Sequence, residues 1–109
     1  MTIAEAIAGF EHGWVAGQEV TPRTAYERTL RLLAFWLETT GRSVSDDLST
    51  LVPEDLDAFV RWHAAHGLAD DAAGSRKVAL HAARLGSHLA AACDRPDLDV
   101  GRDRLRAQV

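Results

Sequence analysis

Residues 72–93 read AAGSRKVALHAARLGSHLAAAC, and the whole stretch passes without one acidic side chain. At about 100° per residue, a helix over this stretch sets Lys77, His81, Arg84 and His88 in one narrow stripe. Val78, Ala82, Leu85 and Leu89 fall on the adjoining side, so the reading is a cationic ridge on an apolar keel. Upstream, residues 21–40 read TPRTAYERTLRLLAFWLETT and place Tyr26, Leu30, Leu33, Trp36 and Leu37 along one side of a second long helix. Thr21 is suited to cap that helix and Pro22 to open its first turn, because proline brings a helical φ and lacks the N–H that a first turn leaves unpaired.

Working outward, residues 3–16 predict a first helix with Ile3, Ile7, Phe10 and Trp14 on one face and Gly17 as its stop, although Gly9 and Gly13 lower its propensity. The second helix spans 22–40 and ends at Gly41. A polar loop through Ser43, Ser45, Asp46 and Asp47 leads to a third helix, opened by Pro53, with Glu54 and Asp55 in a first turn where the helix dipole favours acids. Leu56, Phe59 and Val60 point inward from it, and it stops near Gly67. The fourth helix takes Asp70 or Asp71 as its cap and runs to about Cys93, with Gly86 on the side away from the cations, a mark of close packing or of a weak point. Residues 94–109 read as a tail or linker of mixed charge, with Pro96 early and a short helix within 102–109. No segment has the alternation of a strand, so the fold class is all-α: a compact bundle of four helices over 1–93.

Composition sets the bounds. At 109 residues the chain is too short for a typical catalytic domain and a second module. An apolar fraction of 47% with 26% charged residues is that of an ordinary globular protein. The lone Cys93 has no partner for an internal disulfide, and the first residues lack the basic-then-apolar pattern of a leader. The expectation is a cytoplasmic protein without a membrane span. The net charge of −4 speaks against a nonspecific polyanion binder, but it averages over a segregated chain. Asp46, Asp47, Glu54, Asp55, Asp57, Asp70 and Asp71 face only Arg61 in residues 46–71, whereas 72–93 carry Arg76, Lys77 and Arg84, with His81 and His88 able to add charge as pH falls. The local field, not the average, decides whether a phosphate backbone is attracted.

Thr21-Pro22-Arg23-Thr24 leading into Tyr26, Leu30, Leu33, Trp36 and Leu37, then Leu51-Val52-Pro53-Glu54-Asp55-Leu56 with Phe59, then Gly67-Leu68 before a basic helix, together resemble the amino-terminal core-binding domain of tyrosine recombinases and phage integrases. The resemblance covers residues 3–93 and implies a SAM-like helical domain. It implies a module that covers one face of duplex DNA with its second and fourth helices during site-specific recombination, while a separate domain cuts. Lys77 and Arg84 would then contact phosphates or guanine edges, His81 and His88 would extend the contact, and Arg76 would flank it. Thr24, Arg28 and Arg31 are the corresponding polar residues of the second helix, where Glu27 and Glu38 oppose a phosphate. Val52 stands where the family usually caps with threonine or serine, which predicts a less firm start to the third helix.

Catalysis is not expected. His81-Ala82-Ala83-Arg84 has the His-x-x-Arg spacing of the recombinase site, but the nucleophilic tyrosine should follow it, and the only tyrosine, Tyr26, lies far upstream on an apolar face. His63 and His66 have a spacing that two metal ligands could use, with Asp70 or Asp71 as a third, but one partly buried histidine and one at a helix end is the simpler reading. Of that pair, His63 is the one expected to be only partly buried; no metal or cofactor is expected, and Cys93 reads as a small apolar residue. A second reading, a free-standing interaction module docking to recombinase protomers or another partner protein, comes from Phe35, which stands among Thr24, Arg28 and Arg31 on a face that should be polar.

Overall fold

The first helix begins where four acceptors settle its open end. The Thr2 hydroxyl accepts the Glu5 N–H at 3.0 Å and the Glu5 carboxylate accepts the Thr2 N–H at 2.9 Å, a reciprocal cap that also holds the Glu5 carboxyl below the usual carboxylate range. The next two N–H groups, of Ile3 and Ala4, donate to the carbonyls of Asp46 and Val44 at 2.9 and 2.7 Å. The polar loop therefore returns to supply acceptors that a helix start lacks. In this computed structural model, which describes residues 1–66 and 72–109, the α-helices are α1 (Ile3–Gly13), α2 (Val20–Thr39), α3 (Pro53–Ala65), α4 (Ala72–Ala92) and α5 (Arg102–Arg106). Short 3-10 turns cover Val15–Gly17, Leu48–Thr50 and Pro96–Leu98. The fold is all-α: among the described residues there is no strand, only an isolated bridge between Thr2 and Asp47.

The chain divides into two compact units, Met1–Leu51 and Val52–Val109. The division cuts the region read as one domain, and the second unit takes in the residues read as a tail or linker. In the first unit, α1 stops three residues earlier than 3–16 predicts, and a 3-10 turn follows it. Phe10 stacks on Trp14 at 5.5 Å, and both meet the ring of Tyr26 edge-on at 6.1 and 5.1 Å, so the end of α1 and the start of α2 share one aromatic cluster. The expected α2 seam, Tyr26, Leu30, Leu33, Trp36 and Leu37, is buried throughout. Thr21 is not its cap: the helix opens at Val20 behind Glu19, which places Pro22 inside the first turn, where its missing N–H still costs nothing. Gly41 ends it at φ +82, with the Gly41 N–H donating to the Glu38 carbonyl and the Arg42 N–H to that of Leu37. This paired closure needs a left-handed residue, hence the glycine.

In the second unit, α3 opens at Pro53 without the hydroxyl cap that Val52 cannot provide. Asp55 substitutes for it: its carboxylate reaches back to accept the Val52 N–H at 2.8 Å. The expected weak start is thus compensated from inside the first turn. Leu56, Phe59 and Val60 are buried, as are Val78, Ala79, Ala82, Leu85 and Leu89 of α4. The proposed stop at Gly67, the cap at Asp70 or Asp71, and Leu68 lie outside the described residues. The far end of α4 closes on Asp94, left-handed at φ 53, with the Arg95 N–H donating to the Ala90 carbonyl at 3.2 Å.

Residues 94–109 belong to the core of this unit, because Leu98 and Leu105 are fully buried. Gly86 shows why α4 accepts them. A Cβ at that position would stand 2.2 Å from the Leu98 carbonyl oxygen and 3.2 Å from a methyl of Leu56, so the glycine is the close approach that lets the 3-10 turn lie on the helix. Two side-chain rungs then join this last stretch to α3: from α5, Arg104 grips the mostly buried Asp57 carboxylate through its Nε at 3.1 Å and its terminal nitrogen at 2.6 Å, and Arg61 of α3 donates to the side chain of Gln108, just beyond α5, at 2.9 Å. The pairing with Asp57 raises the already high pKa of Arg104.

Candidate nucleic-acid interface

On α4 the helical period distributes the residues into a buried and an exposed sector. Arg76, Lys77 and Arg84 are exposed, with Ala73 and Ser87 between them, and His88 is half-buried. His81 is the exception to the expected stripe. Four residues on from Lys77, it is rotated by about 40° toward the Val78 and Leu85 side, and that rotation carries it into the interior, 8% exposed. Burial, then the positive charges of Arg84 and Lys77, push its pKa down to about 4, so it is a neutral interior group and not a cation on the ridge. The exposed sector is correspondingly centred nearer Arg76, which stands within it and not at its flank.

The tertiary structure adds residues that the sequence reading omitted. On α5, Arg102 and Arg106 are one turn apart and exposed. With Ala73, Arg76, Lys77 and Leu80 they line a single cleft of about 150 Å³. Among the described residues, none of these four cations is held in an ion pair. Asp103, exposed on α5, is the acid next to them in sequence. The available signal was the i, i+4 spacing of Arg102 and Arg106. The mixed charge of the surrounding stretch concealed it, because it read as solvated tail.

Thr24, Arg28 and Arg31 lie exposed on α2, in the first unit. The Thr24 hydroxyl donates to the Val20 carbonyl at 2.9 Å, a local bond of the kind common in helices, and Glu27 and Glu38 interleave with the two arginines. Phe35 shares this surface and is 55% exposed. A groove of about 230 Å³, whose mostly apolar lining includes Ile7, Leu30, Ala34 and Val44 together with Glu11 and Arg31, also lies in this unit.

The remaining chemistry-bearing residues sit apart. Tyr26 is buried in its aromatic cluster. His63 is 3% exposed, its Nδ1 has no hydrogen-bond partner among the described residues, and burial lowers its pKa. His66 caps α3 and its Nδ1–H meets the Trp62 carbonyl at 2.8 Å. Among the described residues no three potential metal ligands come together; Asp70 and Asp71, named as a third ligand, lie outside them. No described helix is long and apolar enough to cross a membrane. No known protein family, curated protein or solved structure matches the chain.

Proposed function

We propose that this chain is a DNA-binding module of the kind its sequence resembles, a SAM-like core-binding domain of a tyrosine recombinase or integrase. It holds duplex DNA in the cytoplasm during site-specific recombination and leaves strand cleavage to a separate catalytic domain. The observation that carries the reading is the exposed sector of α4, which presents Arg76, Lys77 and Arg84 with no acid among them. A helix face kept merely for solubility normally mixes signs, because i, i+4 pairs of opposite charge stabilise it. A face of one sign lowers helix stability slightly and raises the local concentration of a polyanion.

The test compares two double variants in salt titrations with a short duplex. Lys77→Ala with Arg84→Ala is expected to weaken binding about ten-fold and to lower the slope of log affinity against log salt by about one for each phosphate no longer neutralised. Arg28→Ala with Arg31→Ala, on the mixed face of α2, is expected to do less. Equal affinity of the α4 variant and the parent, or no binding by the parent at low salt, would end this reading. The exposed Phe35 favours a second reading, docking to a recombinase protomer or other protein. That reading is recognised by concentration-dependent self-association or partner binding that Phe35→Ser abolishes and salt hardly changes.

A further inference from the structure

Four cations converge on the cleft between α4 and α5, and folding by itself gives no reason for it. Like charges brought together on a surface repel, and screening by salt reduces that cost without reversing it. The same short helix shows the alternative, since Arg104 is turned to α3 and satisfied by Asp57. Arg102 and Arg106 are instead turned to the side where α4 presents Arg76 and Lys77. The four stand around apolar lining from Ala73 and Leu80. Cations beside apolar lining suit an anion that carries hydrocarbon, as a phosphodiester does in its flanking sugars. A small hydrated ion would gain nothing from Leu80 and Ala73.

We propose that this cleft seats a backbone phosphodiester of duplex DNA, with Arg76 and Lys77 contacting it from α4 and Arg102 and Arg106 from α5. The proposal rests on the DNA-binding reading above and adds α5 to it as a second arm of the interface. The arm is held in place by parts that make no contact with the ligand: the buried Leu98 and Leu105, the Gly86 approach and the Asp57–Arg104 pair. Its two guanidiniums offer forked donors that match phosphate oxygens.

The experiment is a salt titration of the full chain with a duplex, read by fluorescence anisotropy. Arg102→Ala with Arg106→Ala is expected to weaken binding about ten-fold and to lower the salt slope by about two, one for each arginine. Arg61→Ala with Arg95→Ala removes the same charge from the same unit, at side chains engaged by Gln108 and Asp97, and is expected to change affinity several-fold less. Arg102→Lys with Arg106→Lys should restore the slope and only part of the affinity. If the parent binds and the two alanine pairs weaken it equally, the cleft assignment falls and the DNA reading stands. If the parent binds no duplex, both fall. Displacement of the duplex by millimolar inorganic phosphate, beyond what chloride achieves at equal ionic strength, would make this a free-anion pocket and overturn the assignment.

Discussion

The helices α2 and α4 are almost the same length, 20 and 21 residues, and each buries one apolar seam, yet they solve the problem of their outer faces differently. On α2, Glu27 stands four residues before Arg31, the spacing and order that favour pairing on a helix surface, and Glu38 adds a further acid. On α4 the exposed charges are all positive. What supports α4 instead is composition: Ala72, Ala73, Ala79, Ala82, Ala83, Ala90, Ala91 and Ala92 supply the highest intrinsic helix propensity without any charge. Alanine thus frees α4 from the need for acidic partners. On the outer face of α4 no acid stands among the cations, whereas α2 mixes both signs on its own.

The comparison breaks most sharply at the seams. Leu33→Ala on α2 empties a site that is 2% exposed and is expected to cost about 2–5 kcal/mol in a denaturant titration. A loss below about 1 kcal/mol would show that the first unit does not depend on this seam. On α4, Gly86→Ala separates propensity from packing. In a free helix the change would stabilise by up to about 1 kcal/mol. Here the added methyl would stand 2.2 Å from the Leu98 carbonyl oxygen, and the backbone must move away. The expected outcome is a loss of about 1–3 kcal/mol. A gain in stability would mean that the 3-10 turn does not bear on α4, and with it the seat of α5 would be lost.

The smallest expected effect concerns the residue that left the ridge. The pKa of His81 falls in the folded chain from the ordinary 6.5 to about 4. Its neutral form therefore contributes stability that is complete above about pH 6.5 and is lost progressively as pH falls toward 4, because the unfolded chain takes up the proton first. Burial lowers the pKa of His63 too, so it contributes in the same direction. His81→Gln is expected to flatten part of the fall in melting temperature between pH 6.5 and pH 4, and to leave duplex affinity unchanged between about pH 6 and 8. Stability that rises on acidification, or DNA binding that strengthens through His81, would return this residue to the surface stripe.

The amino-acid sequence by itself determined the helices and most of their seams. Tyr26, Leu30, Leu33, Trp36 and Leu37, or Leu56, Phe59 and Val60, announce a buried face because helical period is a local property, repeated each turn within one segment. Gly41 and Pro53 were legible for the same reason, each answering a backbone requirement of its own position. The candidate site was legible only in half. Arg76, Lys77 and Arg84 lie on the one helix where the pattern is read, but a stripe drawn at a fixed angle cannot say where the exposed sector ends, and His81 fell just beyond its edge. Arg102 and Arg106 join Arg76 and Lys77 only because Leu98 and Leu105 are buried and Gly86 admits the Leu98 carbonyl. Those contacts link residues distant in the chain, and no local period encodes them, so the tertiary structure alone decided that a stretch read as a tail forms the second wall of a cationic cleft.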